Sequence, residues 1–215
     1  MALIDHFRRR AIRDQATAGA FIDEHAFHLS ETCVRDYSRL RAGDGADALL
    51  AESAFAAALD KACWEAYPRA LTMVGTVVEA SLRPHAGENA HGVLFGLIAI
   101  VLEHFDRRPV PAAIRDAEWR AARADLERSL SDLARARSKT AEAVVQDHSS
   151  FFLAIMPLHP KLGRDDFAAL TNQLKLSLSQ IQEAFAQRAN LLAIAGELAA
   201  RIPKVEASEA PSAPV

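Results

Sequence analysis

Little in this chain can staple a fold, hold a metal through sulfur, or interrupt a helix. Two cysteines, Cys33 and Cys63, are too few for a disulfide framework and do not form a zinc-binding spacing. Both fall inside helical apolar patterns, where cysteine behaves as a small hydrophobe. Nine glycines and nine prolines in 215 residues leave long stretches with neither, which favours helices over turn-rich sheets. β-branched residues are scattered, and no strand pattern emerges. A basic excess is also missing. The net charge of −3 and pI near 6.2 argue against nucleic-acid binding by bulk electrostatics, while leaving room for a local basic patch. Long hydrophobic runs are absent too: the most apolar stretch, Val93 to Leu102, has ten residues, against about 20 for a membrane span. The opening MALIDHFRRRAIRD lacks the apolar core of a signal peptide. The expectation is a cytoplasmic protein with no transmembrane segment. Arginine supplies 20 of the 25 basic residues, the usage of a GC-rich, bacterial genome.

What is present is helical periodicity. Ile22, Ala26, Leu29, Cys33, Tyr37 and Leu40 follow steps of three and four, predicting a helix over 3–41 with one face toward a core and a bend near Gly19. Gly43-Asp44-Gly45 ends it. A second helix is predicted over 46–66. Pro68 either starts a third that runs to Arg83-Pro84 or kinks one long helix. Residues 90–106 are apolar nearly all round, as for a helix in the middle of a bundle, and Gly92 and Gly96, four apart, mark a close helix crossing. Further helices are predicted over 111–138, 141–156 and 165–201, the last with the regular stripe Leu170, Leu174, Leu178, Ile181, Phe185 and Leu192. The fold class is therefore all-α: a single bundle of six or seven helices over 1–202, a central apolar helix at about 90–106, and a disordered Pro-, Ala- and Ser-rich tail over 203–215. The polar run Arg135 to Thr140 allows a division near 138 into a main bundle and a C-terminal helical hairpin.

Several groupings carry potential chemistry. His25, His28 and Glu31 lie three apart on one broad helical face; imidazole and carboxylate suit Zn, Fe or Ni, but a metal needs further ligands from elsewhere, and an exposed polar face gives the same pattern. Arg83 and His85 in one proline-flanked loop, with His159, Lys161 and Arg164 in another, suit a phosphate or carboxylate if the loops converge. Otherwise the same cations simply offset negative helix ends. Arg8, Arg9, Arg10 and Arg13 oppose Leu3, Ile4, Phe7 and Ile12 on a short amphipathic stretch. Tyr37, Arg39, Arg41, Trp64, Tyr67 and Arg69 gather at predicted helix ends, as in a binding patch or a packed junction. The neighbours Asp147 and His148 point about 100° apart on a helix and do not act as a unit by spacing alone. Ser129 and Ser149 lack any nucleophile elbow, no glycine-rich phosphate loop occurs, and no cofactor is implied.

Two functions follow as expectations. The first is an interaction or regulatory protein without catalytic activity, with a protein partner or a second copy of itself and no nucleic acid. The second is a small-molecule binder or enzyme that holds an anionic ligand with Arg83, His85, His159, Lys161 and Arg164.

Overall fold

The computed structural model describes residues 11–157 and 167–201. Its helices are α1 (Gln15–Glu31), α2 (Tyr37–Ala42), α3 (Ala46–Leu50), α4 (Ser53–Leu82), α5 (Ala90–Arg107), α6 (Asp116–Ser131), α7 (Ala141–Ile155), α8 (Phe167–Arg188) and α9 (Leu191–Ala200). Seven of these have ten residues or more. No strand occurs among the described residues; the one β-like feature is an isolated bridge between Ile12 and Ala189. Nor is any described helix long and apolar enough to cross a membrane. The expected all-α bundle is thus observed over the described residues, while the expected tail over 203–215 lies outside them.

Local chemistry sets the helix ends. The Asp14 carboxylate accepts from the Thr17 backbone N–H at 2.8 Å, and the Thr17 hydroxyl oxygen accepts from the Asp14 N–H at 3.2 Å, a reciprocal cap that starts α1. Gly19 lies inside α1, where the His104 ring of α5 packs at the place a Cβ would occupy. The irregularity comes later, as a π-helical turn over Thr32–Asp36 that buries Cys33 and Val34. Gly43, at φ +54°, then ends α2 in a conformation that glycine adopts without strain. The expected single helix to 201 is broken by Asn190. Its side chain caps α9 through the Ala193 N–H. Its own N–H donates to the Ile12 carbonyl at 2.8 Å, and the Ile12 N–H donates to the Arg188 carbonyl at 3.0 Å. Ile12 is thereby pinned at the α8–α9 junction.

Pro68 lies inside one continuous 30-residue α4, which is the long-helix alternative. The Thr72 hydroxyl donates back to the Pro68 carbonyl at 3.2 Å. Every residue from 70 to 79 is buried. The helix as a whole packs against α1, α5, α6, α7, α8 and α9, and this half of it is enclosed. α5 is a core helix as expected, but Phe95, at 58% exposed, and Glu103 give it an outer edge. The close crossing expected of the glycines is realised at Gly96: a Cβ there would lie 2.3 Å from the Leu198 carbonyl oxygen of α9. One contiguous hydrophobic core draws residues from both sides of position 138, among them Leu130, Leu133, Val144 and Phe152.

A second organising unit joins α1, α4 and the end of α5. The Arg108 guanidinium donates to both oxygens of Asp23, at 3.1 and 2.8 Å, and to the Tyr67 hydroxyl at 2.9 Å. It also lies over the rings of Phe27 and Tyr67, at 4.9 and 4.7 Å. Phe105 and Trp119 extend the stack. Of the aromatic–arginine grouping, Trp64 and Tyr67 therefore sit in a packed junction, completed by Arg108, 41 residues beyond Tyr67. Arg69, from the same grouping, covers Phe151 of α7 at 4.7 Å.

Candidate functional site

The enclosed half of α4 carries three polar residues, Thr72, Thr76 and Glu79, at steps of four and three. That spacing puts them on one face, and the face is turned toward α6 and α7. Burying polar groups costs free energy unless they are bonded. Thr72 and Thr76 meet this by donating to the carbonyls of Pro68 and Thr72, at 3.2 and 2.7 Å. With their protons committed, what these hydroxyls retain is acceptor lone pairs. Glu79, 4% exposed, accepts from Arg83 Nε at 2.7 Å.

Thr72 and Thr76 form the floor of a cavity of about 360 Å³. Ser129 of α6, Asp132, Leu133 and Ala136 of the following turn, and Lys139 of the link make one wall; Val144, Asp147 and His148 of α7 make the other. The Lys139 ammonium donates to Asp147 at 2.7 Å, tying the link to α7. Arg83 braces the opposite side, donating to the Ala136 carbonyl at 2.9 Å and the Leu133 carbonyl at 3.0 Å while it neutralises Glu79. Arg83 thus holds the turn that follows α6 from another helix. His85 lies exposed in the same short turn as Arg83. His159, Lys161 and Arg164 lie outside the described residues, and so does any convergence of the two basic loops.

His148 has its pKa lowered from 6.5 to about 4, by burial first and then by Arg69 and Lys139, against the opposing effect of Asp147. The imidazole is neutral near pH 7 and presents one donor and one acceptor. Serine, histidine and aspartate all line this cavity, the residue types of a hydrolytic triad. Among the described residues, however, no hydrogen bond joins Ser129 to His148 or His148 to Asp132 or Asp147, and a histidine of such low pKa is a weak general base. The cavity is lined in part by threonine, serine, histidine and lysine side chains, residue types that can accept or donate hydrogen bonds. Its two acids, one lysine and neutral histidine leave it without a cationic excess.

The possible metal ligands go separate ways. The His25 ring packs on Phe21, centroids 4.1 Å apart, and burial, then Arg188 and His28, lower its pKa to about 4. His28 faces Thr32 at 3.5 Å, and Glu31 holds Arg35 at 2.7 Å. No group of three or more His, Cys, Asp or Glu among the described residues is placed to hold a metal ion. A lone Glu-x-x-His, Glu88 to His91, is exposed around the start of α5; a bundle diiron site needs two such pairs and further glutamates.

The sequence shows Asp147 and His148 as adjacent neighbours, Ser129 apart from them, and Lys139 only as part of a polar break. The readable signal was Thr72, Thr76 and Glu79, a polar stripe on an otherwise apolar helix. Comparison with protein-family models, with curated proteins and with solved structures gives no match.

Proposed function

We propose that this protein binds a compact, hydroxylated small molecule in the cavity between α4, α6 and α7, and that it acts as a binding protein rather than a catalyst. One observation carries the reading. Two threonines, each 4% exposed, sit on the enclosed half of α4 with their protons committed and line a cavity of about 360 Å³. That volume lies within the usual range for small-molecule sites, roughly 300–1,000 Å³. A core needing only stability would place apolar side chains there. Hydroxyl donors on a ligand match the threonine acceptors, while Ser129, His148 and Lys139 supply the donors. The two acids, Asp132 and Asp147, disfavour a compact anion in this cavity. The test is a ¹H–¹⁵N titration with myo-inositol and, for contrast, inorganic phosphate. Inositol should move the amide resonances of Thr72, Thr76, Ser129 and His148, and Ser129→Phe, which fills the cavity, should abolish the response. A response elsewhere, or one that Ser129→Phe leaves intact, would refute the proposal.

The other reading, an interaction protein with no ligand of its own, is favoured by a separate observation. The outer face of α8 is almost free of charge, in a chain of which a quarter is charged. A pull-down that returns no stable partner would count against it.

A further inference from the structure

The outward row of α8 is Ala169, Asn172, Leu176, Ser179, Glu183 and Ala186, every one exposed and Leu176 at 62%. The steps are three, four, three, four, three, the repeat of the seam in a two-helix coiled coil. One charge stands among these six, whereas the outer face of α6 presents Arg120, Asp125, Glu127 and Arg128. The one lysine of α8, Lys175, is not available to the row, since it donates to Glu142 of α7 in the same chain at 2.6 Å.

We infer that this row is a self-association face, on which a second copy of the chain packs its own α8 antiparallel about a two-fold axis between residues 177 and 178. The argument is self-complementarity. A two-fold interface must match one surface to itself, and this row does so position by position. Leu176 meets the partner's Ser179, Asn172 meets the partner's Glu183, and Ala169 meets the partner's Ala186. The Asn172 amide can donate to the facing carboxylate. The row's acid therefore meets a donor rather than another acid, and no like charges oppose. Alanine at both ends lets the helices approach at the short end of the usual 8–10 Å range. A 22-residue helix is about 33 Å long, so one helix pair falls short of the roughly 800 Å² per partner of a standard interface. The dimer is accordingly a weak one.

The test is sedimentation equilibrium of the full chain from about 10 µM to about 1 mM. The mean mass should rise from 23.4 kDa toward twice that value. Leu176→Glu should raise the dissociation constant at least tenfold with unchanged circular dichroism, since the side chain is exposed. Orientation is read by cysteine crosslinking with copper–phenanthroline, because the native Cys33 and Cys63 are buried. The pair Ala169→Cys and Ala186→Cys, about 25 Å apart within one helix, should give a covalent dimer, while Ala169→Cys alone should not. A mass of one chain at every concentration overturns the inference. Crosslinking through Ala169→Cys alone overturns the antiparallel pairing.

Discussion

Replacing Gly96 by alanine sets two effects of opposite sign against each other. In a helix interior, alanine is favoured over glycine by roughly 0.5–1 kcal/mol, so local propensity predicts a more stable protein. Packing predicts the reverse. The new Cβ would lie 2.3 Å from the Leu198 carbonyl oxygen, 2.7 Å from its carbon and 2.8 Å from its Cα. The obstruction is backbone, which cannot rotate away as a side-chain tip can. To restore an ordinary contact of about 3.4 Å or more, α9 must retreat by about 1 Å. α9 docks through Ile194, Ala195 and Leu198, at most 2% exposed, and fully burying a leucine or isoleucine is worth about 1.5–3 kcal/mol. Overpacking ordinarily costs about 1–3 kcal/mol. A backbone clash belongs at the upper end, and after the propensity gain is subtracted the net loss should be about 2 kcal/mol. Urea denaturation followed by circular dichroism gives this as a lower midpoint. The control lies on the opposing helix: a Cβ on Gly196 meets nothing within 4 Å, so Gly196→Ala should leave stability unchanged or raise it by up to about 1 kcal/mol. If Gly96→Ala is neutral or stabilising, α9 does not pack on α5 as described.

Arg83→Met should cost about 2–3 kcal/mol, because it strands the buried Glu79 carboxylate and frees the Leu133 and Ala136 carbonyls; thermal unfolding reads the loss. The double variant Glu79→Leu with Arg83→Met should recover much of it, and a double variant as unstable as the single would contradict this account. Acid should destabilise the fold well before the carboxylates titrate. His25 and His148 each bind a proton at about pH 4 when folded and at 6.5 when unfolded. Between these values the unfolded chain holds more protons, so stability is complete above pH 6.5 and falls toward pH 4. Each histidine contributes up to about 3 kcal/mol. The slope of unfolding free energy against pH checks this, and a flat profile between pH 6.5 and 4 would refute it.

The fold was legible where periodicity and glycine spacing are local signals. Gly96 announced its helix crossing, and the Leu170–Phe185 stripe announced α8. The break at Asn190 was not legible, because it depends on two backbone hydrogen bonds to Ile12, nearly 180 residues away. Nor was the enclosure of 70–79. Thr72, Thr76 and Glu79 make that segment look half-exposed, whereas the unbroken apolar run at 93–102 looks more central than it is. The site depended most on tertiary structure. Arg83 looked like a ligand group but is consumed by Glu79 and two carbonyls. Lys139, Asp147, His148 and Ser129 come from three separate segments, and only the packing of α6 and α7 on α4 gathers them.

The central claim, that the cavity floored by Thr72 and Thr76 is a ligand site, is met most directly by a high-resolution crystal structure of the protein soaked in myo-inositol. The prediction is density in the cavity, with ligand hydroxyls within hydrogen-bonding distance of the Thr72 and Thr76 Oγ1 atoms and of the His148 ring. A cavity that holds only water, or one closed by the His148 side chain, would contradict it.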